Sequence, residues 1–182
     1  MLTTASPEVE LFGEESHFDS GEAVTNFDSS CLFCKIIGGK IPAYRVYEDS
    51  ETYAFLDINP LFPGHVLVAP KQHFATLYDV PGEYVGPLFE SAQLLAKAVE
   101  TAVEAEGTFV AINNRVGQTV PHLHIHVIPR RRGDGLKGFF WPRHDYRDAE
   151  AREAVRAAIE REAQRLADWP RMNADERRLG GK

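Results

Sequence analysis

Three histidines alternate with apolar residues in the run His122-Leu123-His124-Ile125-His126. Side chains of an extended segment alternate faces with a period of two. The three imidazoles therefore share one face, while Leu123, Ile125 and Val127 turn toward a core. Imidazoles pack less well than Val or Ile and repel one another when charged. One satisfied core histidine is ordinary; three at this spacing point to chemistry. Two chemistries suit them: a metal held by all three rings, or catalysis by neutral imidazole, whose pKa lies near working pH. Strand geometry bears on the choice. At ~3.3 Å per residue, the α-carbons of His122 and His126 lie about 13 Å apart. Zinc takes ring nitrogens at about 2.0–2.1 Å, so three rings on one ion require a bent strand. A division of duties is easier, with one outer histidine as ligand and the middle one free. The only cysteines form a second motif, Cys31-x-x-Cys34. In a cytosolic protein this spacing signals a metal or redox pair. The pair precedes the first clear strand instead of following one into a helix, which favours metal.

These motifs need elements to position them. Residues 44–48 read as an extended segment after Ile41-Pro42, and residues 52–57 as a second strand beyond an Asp49-Ser50 turn. Asn59-Pro60 and Pro63-Gly64 signal a loop. Residues 65–69 form an apolar third strand ended by Pro70. A helix starts near Pro81, a residue favoured in first turns. Val85, Leu88, Phe89, Ala92, Leu95, Ala96, Val99 and Val103 recur at the spacing of one helical face, and Gly107 stops the helix. Residues 108–113 and 120–128 are the fourth and fifth strands, joined by a short polar loop. A second helix spans about 148–167, with Val155, Ile159 and Leu166 on one side. Five strands with one long helix between the third and fourth imply an α+β domain with a mainly antiparallel sheet. The expected organisation is a leader at 1–30, a domain at 31–145, a C-terminal helix at 146–169 and a loose polar tail at 170–182.

The 182 residues are 43% apolar and 26% charged, as in an ordinary soluble globular chain. That length builds a core without disulfides. No run approaches the ~18 apolar residues of a membrane span. The N-terminus has neither a positive n-region nor an apolar h-region, so a cytoplasmic location is expected. The formal charge of −7 is local: residues 1–30 hold seven acids and no Lys or Arg. The other 152 residues hold 20 acids and 20 bases. Such a leader repels nucleic acid, and neither nucleic acid nor membrane is an expected partner. Its docking candidates are Phe12 and Phe18. Arg130-Arg131-Arg132 reads as a solvated strand end in preference to a phosphate-attracting rim.

The sequence resembles the histidine-triad (HIT) family, whose motif is His-φ-His-φ-His-φ-φ with φ apolar. His122-Leu123-His124-Ile125-His126-Val127-Ile128 fits at every position. Gly117-Gln118-Thr119-Val120, Ile36-Ile37-x-Gly39-x-Ile41-Pro42, Phe55-Leu56-Asp57-Ile58-x-Pro60 and Gly64-His65-x-Leu67-Val68-x-Pro70-Lys71-x-His73 also match, in order. The likeness covers roughly residues 31–141 and omits the leader and the C-terminal helix.

The resemblance implies nucleotide binding and attack at an α-phosphate by the middle histidine, His124. One ring nitrogen attacks while the other holds its proton against a backbone carbonyl. A nucleotidyl-histidine forms and water cleaves it, so two easier steps replace one hard displacement. His126 would bond the phosphate or orient the site. Gln118 would support phosphate oxygens, and Thr119 would deliver a proton to the leaving group. Asp57 would bind the ribose hydroxyls, though a strand-end cap is its plainer reading. Leu32, Phe33, Ile36, Phe55 and Ile58 would enclose the base, with Gly117 and Asn113 (or Asn114) near the phosphate or ribose. In zinc-containing members the cysteines are joined by the histidine after Pro-Lys-x and the first triad histidine, here His73 and His122. His65 is an alternative ligand. His17 and His144 are read as surface residues.

The family also implies a homodimer and a purine, adenosine-type substrate. Phe139, Phe140 and Trp141-Pro142 would cover the site or join the dimer interface. The leading expectation is a hydrolase of nucleoside phosphoramidates or dinucleoside polyphosphates. Its rivals are a nucleotidyltransferase with a non-water acceptor, a nucleotide-sensing or partner-binding module without catalysis, and a hydrolase with zinc on all three histidines.

Overall fold

A computed structural model describes residues 26–136 and 145–179. The chain divides into two units, one ending at Asp134 and the other starting at Gly135. The first holds a short helix α1 (Leu32–Ile37), strands β1 (Arg45–Glu48), β2 (Thr52–Leu56) and β3 (Val66–Pro70), a long helix α2 (Gly82–Ala102), and strands β4 (Gly107–Ile112) and β5 (Ile125–Arg130). The strands form one sheet in the order β1-β2-β3-β5-β4, antiparallel at every pairing. The expected α+β architecture is present.

Alternation sorts the sheet residues between two cores. On one face Ala54, Val66, Val68, Leu123, Ile125 and Val127 pack under Leu88, Ala92, Leu95 and Val99 of α2. On the other, Phe55, Leu67 and Ala69 pack under Phe33, Cys34 and Ile36 of α1. Leu67 pairs with His126 across β3 and β5, so the triad lies on the α1 face. Phe89, expected on the buried side of α2, is exposed.

Four differences from the sequence reading have physical causes. Helix α1 is only six residues long, too short for apolar periodicity to announce it, and it opens at Cys31. Strand β5 begins at Ile125 and not at residue 120: Pro121 has no N–H for a ladder, and the N–H groups of His122 and Leu123 go to Val120 O (2.8 Å) and Phe74 O (2.6 Å). Helix α2 ends at Ala102, and Glu104 takes the left-handed turn (φ 55°), leaving Gly107 to open β4. Residues 26–30 belong to the domain, not to a leader, since His73 N–H donates to Asn26 O (2.7 Å) and Cys31 N–H to Asp28 O (3.1 Å).

The second unit contains helix α3 (Ala149–Leu179). It continues past residue 169 through most of the expected tail. Ala, Glu and Arg favour helix, and Arg156 bridges Glu153 and Glu160 at helical spacing. Val155, Ile159 and Leu166 are exposed. No helix among the described residues is long and apolar enough to cross a membrane.

Candidate active site and metal centre

Helix α1 places two sulfurs beside two imidazoles. Cys31 caps the helix and Cys34 lies one turn inside, so both side chains share a face. The loop after β3 brings His73, and the bend before β5 brings His122. Cys31 Sγ lies 3.5 Å from His122 Nδ1, and Cys34 Sγ lies 3.6 Å from the same atom and 3.4 Å from His73 Nδ1. All four donor atoms fall within 4.8 Å of one another. Around tetrahedral zinc, with Zn–S ~2.3 Å and Zn–N ~2.0–2.1 Å, neighbouring sulfur and nitrogen lie roughly 3.6 Å apart.

The donor chemistry fits as well. His122 Nε2–H donates to the Pro70 carbonyl (2.9 Å), which leaves its Nδ1 lone pair facing both sulfurs. Burial pushes the His122 pKa down to about 4, so the ring stays neutral, as a ligand must. Burial pushes the Cys34 thiol up to about 11; ionising it at neutral pH calls for a cation, which a metal supplies. The residues therefore fit a structural zinc. The thiols are buried and form no disulfide.

His124 sits behind this cluster, buried, with the Phe33 ring edge-on at 5.0 Å and the His126 ring at 4.8 Å. Its Nδ1–H donates to the His122 carbonyl (2.6 Å), the kind of acceptor expected from sequence. The lone pair of Nε2 is thereby left for reaction. Burial lowers the His124 pKa, against an opposing bond to the His122 carbonyl.

His126 faces the other way. Its Nδ1 meets His65 Nε2 at 3.0 Å, and His65 Nδ1 meets Asp57 Oδ2 at 3.3 Å. Among the described residues, His126 Nε2 is the one buried side-chain polar atom without a partner, and such an atom calls for a ligand or water. Burial, with His124 and His65 nearby, pushes the His126 pKa down to about 4. Asp57, His65 and His126 also lie close enough for a cation. Their geometry argues against one: the His65 Nδ1 lone pair accepts from Leu61 N–H (3.4 Å) while Nε2 meets His126 Nδ1, so neutral His65 has no lone pair left for a cation.

His65 thus joins His126 and not the cysteines. Its sequence signal was its place at the start of β3, beside the strand that carries the triad. Asp57 does double duty, because Oδ1 also accepts from Asn59 N–H (2.8 Å) as the plain cap reading expected.

The loop before the triad is held from inside. Gln118 Oε1 accepts from Arg115 N–H (2.9 Å) while its Nε2–H donates to Ala75 O (2.6 Å), so both ends of the amide are engaged within the chain. Asn114 Oδ1 accepts from Leu77 N–H (2.8 Å). Asn113 lies beside Gly117, whose φ of +75° suits glycine. Thr119 is exposed. Of the residues expected around a base, Phe33, Ile36 and Phe55 are core; Leu32 (43% exposed) and Ile58 (80%) are open to a ligand. Arg130 is spent on Asp134 in a two-armed pair (2.6 and 3.0 Å), Arg131 on the Val103 carbonyl, and Arg132 meets Glu106. That agrees with a solvated strand end. A hollow of about 680 Å³ lies over the β1–β2 turn, lined by Arg45, Tyr47, Glu48 and Lys71, and takes in none of the triad. Phe12, His17, Phe18, Phe139, Phe140, Trp141, Pro142 and His144 lie outside the described residues.

Comparison with known proteins matches the same region. The HIT domain model covers residues 38–133. An adenosine 5'-monophosphoramidase of Candida albicans is 39% identical over 120 residues, covering 63% of this chain and 79% of that one. Among solved structures, a HIT family protein of Bacillus subtilis superposes with a TM-score of 0.66 at 36% identity, over 72% of this chain and 95% of that one. A Zn-bound histidine triad family protein of Mycobacterium smegmatis gives 0.57 at 40% identity, over 74% and 96%. Motif, sheet and matched residues agree, and the chain belongs to the HIT domain family.

Proposed function

We propose that the protein is a nucleotide hydrolase that cleaves nucleoside phosphoramidates or dinucleoside polyphosphates at the α-phosphate and releases a nucleoside monophosphate. The observation that carries this reading is His124, whose Nδ1–H is fixed on the His122 carbonyl and whose Nε2 lone pair is free. The relative from Candida albicans bears the name of such an activity.

In the proposed reaction, the Nε2 lone pair forms a P–N bond as the bond from phosphorus to the leaving group breaks. The leaving group departs with that electron pair and takes a proton from solvent through Thr119. The His122 carbonyl stabilises the imidazolium that forms on His124. Water then attacks the same phosphorus, the P–N bond breaks, and the electron pair returns to the ring. His126 Nε2 meets a phosphate oxygen, which gives the orphaned atom its partner. Asp57 binds the ribose hydroxyls with Oδ2, Gly117 and Asn113 line the phosphate side, and Leu32 and Ile58 contact a purine, adenosine-type base. Gln118 acts on this reading by shaping the loop. Zinc held by Cys31, Cys34, His73 and His122 supplies structure, not reaction chemistry: it fixes the residue whose carbonyl holds the His124 proton. The protein acts as a cytoplasmic homodimer.

Brief incubation with an adenosine phosphoramidate, followed by acid-free quenching and mass mapping, is expected to place an adenylyl group on His124. Turnover is expected to fall by several orders of magnitude in His124→Ala, as when other enzymes lose their nucleophile. An adduct on another residue, or turnover that survives the substitution, overturns the mechanism. Nucleotide binding without any turnover across a panel of such substrates overturns the enzyme reading itself.

A further inference from the structure

We infer that residues 26–30 form a strap that closes the zinc cluster, with Asn26 as the positioning residue for the ligand His73. The inference rests on the zinc reading. His73 follows β3 and lies in no helix or strand, so no ladder holds its backbone. Asn26 holds it instead, at both polar groups. His73 N–H donates to the Asn26 carbonyl (2.7 Å), and Asn26 Nδ2–H donates to the His73 carbonyl.

The strap's other end is tied to a second ligand. Cys31 N–H donates to the Asp28 carbonyl (3.1 Å), while Asp28 Oδ1 accepts from Ser30 N–H (2.8 Å) and Ser30 Oγ–H (2.6 Å). Between these ends, Phe27 lies against Gly38, the C-terminal cap of the helix that carries Cys34. Lys40 Nζ sits over the Phe27 ring at 5.4 Å. Five residues therefore join the loop of His73 to the helix of the two cysteines.

Burial says why this ligand needs a strap. Cys31, Cys34 and His122 are buried, and His73 is the one donor that is partly open. Metal loss from a buried cluster begins at the ligand that can swing out, and His73 is that ligand. The strap, like Cys31 and Cys34, lies before residues 38–133 matched by the family model. Its expected effect is on how long zinc stays, more than on whether the domain folds.

The test is zinc release from the full-length, zinc-loaded protein, followed as absorbance of the chelator 4-(2-pyridylazo)resorcinol. Asn26→Ala removes one hydrogen bond and is expected to speed release about threefold to tenfold. Asn26→Asp sets a carboxylate against the His73 carbonyl and is expected to speed it more. Ser91→Ala removes the bond from Ser91 Oγ–H to Asp49 Oδ2 (3.1 Å), under α2 on the other face of the sheet. It is expected to lower the thermal midpoint and leave release unchanged. Release that is unchanged in both Asn26 variants overturns the strap while leaving the zinc reading intact. Release that tracks the thermal midpoint across all three variants also overturns it, because the effect is then global. A wild-type protein that binds no zinc overturns the strap and the zinc reading together.

Discussion

Around Cys34 the lone pairs of four side chains converge; around His65 they run in line. In the first cluster His122 Nδ1 and His73 Nδ1 both point at sulfur, 3.4–3.6 Å away, which is the edge of a tetrahedron. In the second, Leu61 N–H donates to His65 Nδ1 (3.4 Å), His65 Nε2 meets His126 Nδ1 (3.0 Å), and Asp57 Oδ2 lies alongside, 3.3 Å from His65 Nδ1. Both are built from histidine, both lie on the α1 face, and His124 touches each. Residue type alone therefore does not decide between metal and relay. Which ring nitrogen is already engaged decides it. His122 spends Nε2 on the Pro70 carbonyl and keeps Nδ1 for a ligand, whereas His65 has both nitrogens committed.

The two clusters are expected to fail differently. The largest effect belongs to the converging one. Cys34→Ser, or chelation of the wild type, is expected to remove about one zinc per chain and lower stability by about 4 kcal/mol when free zinc stands a thousandfold above its Kd. Metal analysis and urea denaturation with and without zinc measure this. Equal stability with and without zinc would show that the converging cluster holds no structural metal.

The in-line cluster is expected to fail in rate. His65→Phe keeps a ring in the buried site, removes both nitrogens, and leaves His126 Nδ1 and Leu61 N–H without the ring that joins them. Turnover is expected to fall about tenfold to hundredfold, less than the ~10²–10⁴ of a group that transfers the proton itself. Zinc content should stay at the wild-type value. Loss of zinc in His65→Phe would show that the two clusters act as one.

Much of the domain was legible because its signals are local and redundant. Alternation put Leu123, Ile125 and Val127 into the core, and the 3.6-residue spacing of Leu88, Ala92, Leu95 and Val99 marked α2. The ligand set followed from matched motifs, and His73, far from Cys34 in sequence, does stand beside it. What escaped was non-local or too short to be periodic. Six residues of α1 carry no repeat. The extent of β5 depends on where Pro121 breaks a ladder with neighbours distant in sequence. Asn26 is one polar residue at the end of an acidic stretch, and nothing in its surroundings names His73 as its partner. His65 was visible as a histidine, but its role depends on which nitrogen faces which neighbour, a property of the folded chain.

Acid has a smaller effect, and it acts through His126. His126 has its folded pKa pushed down to about 4, first by burial and then by His124 and His65, with Asp57 opposing. Its ordinary value is about 6.5. Between those values the unfolded chain binds a proton that the folded chain refuses. Stability therefore rises with pH across about 4 to 6.5, is lost on acidification through that window, and is insensitive to this group below about 4. Its slope is at most about 1.4 kcal/mol per pH unit, one proton's worth. His126→Gln titrates no longer, so its urea midpoint should fall less than that of the wild type between pH 6.5 and 5. Both proteins keep the cysteine cluster, whose own acid sensitivity comes from ligand protonation and cancels in the difference. Parallel wild-type and His126→Gln curves would show that His126 is solvated well enough to protonate in place. Its Nε2 would then reach water readily, and the reading of that atom as a buried partner for a phosphate oxygen would fall.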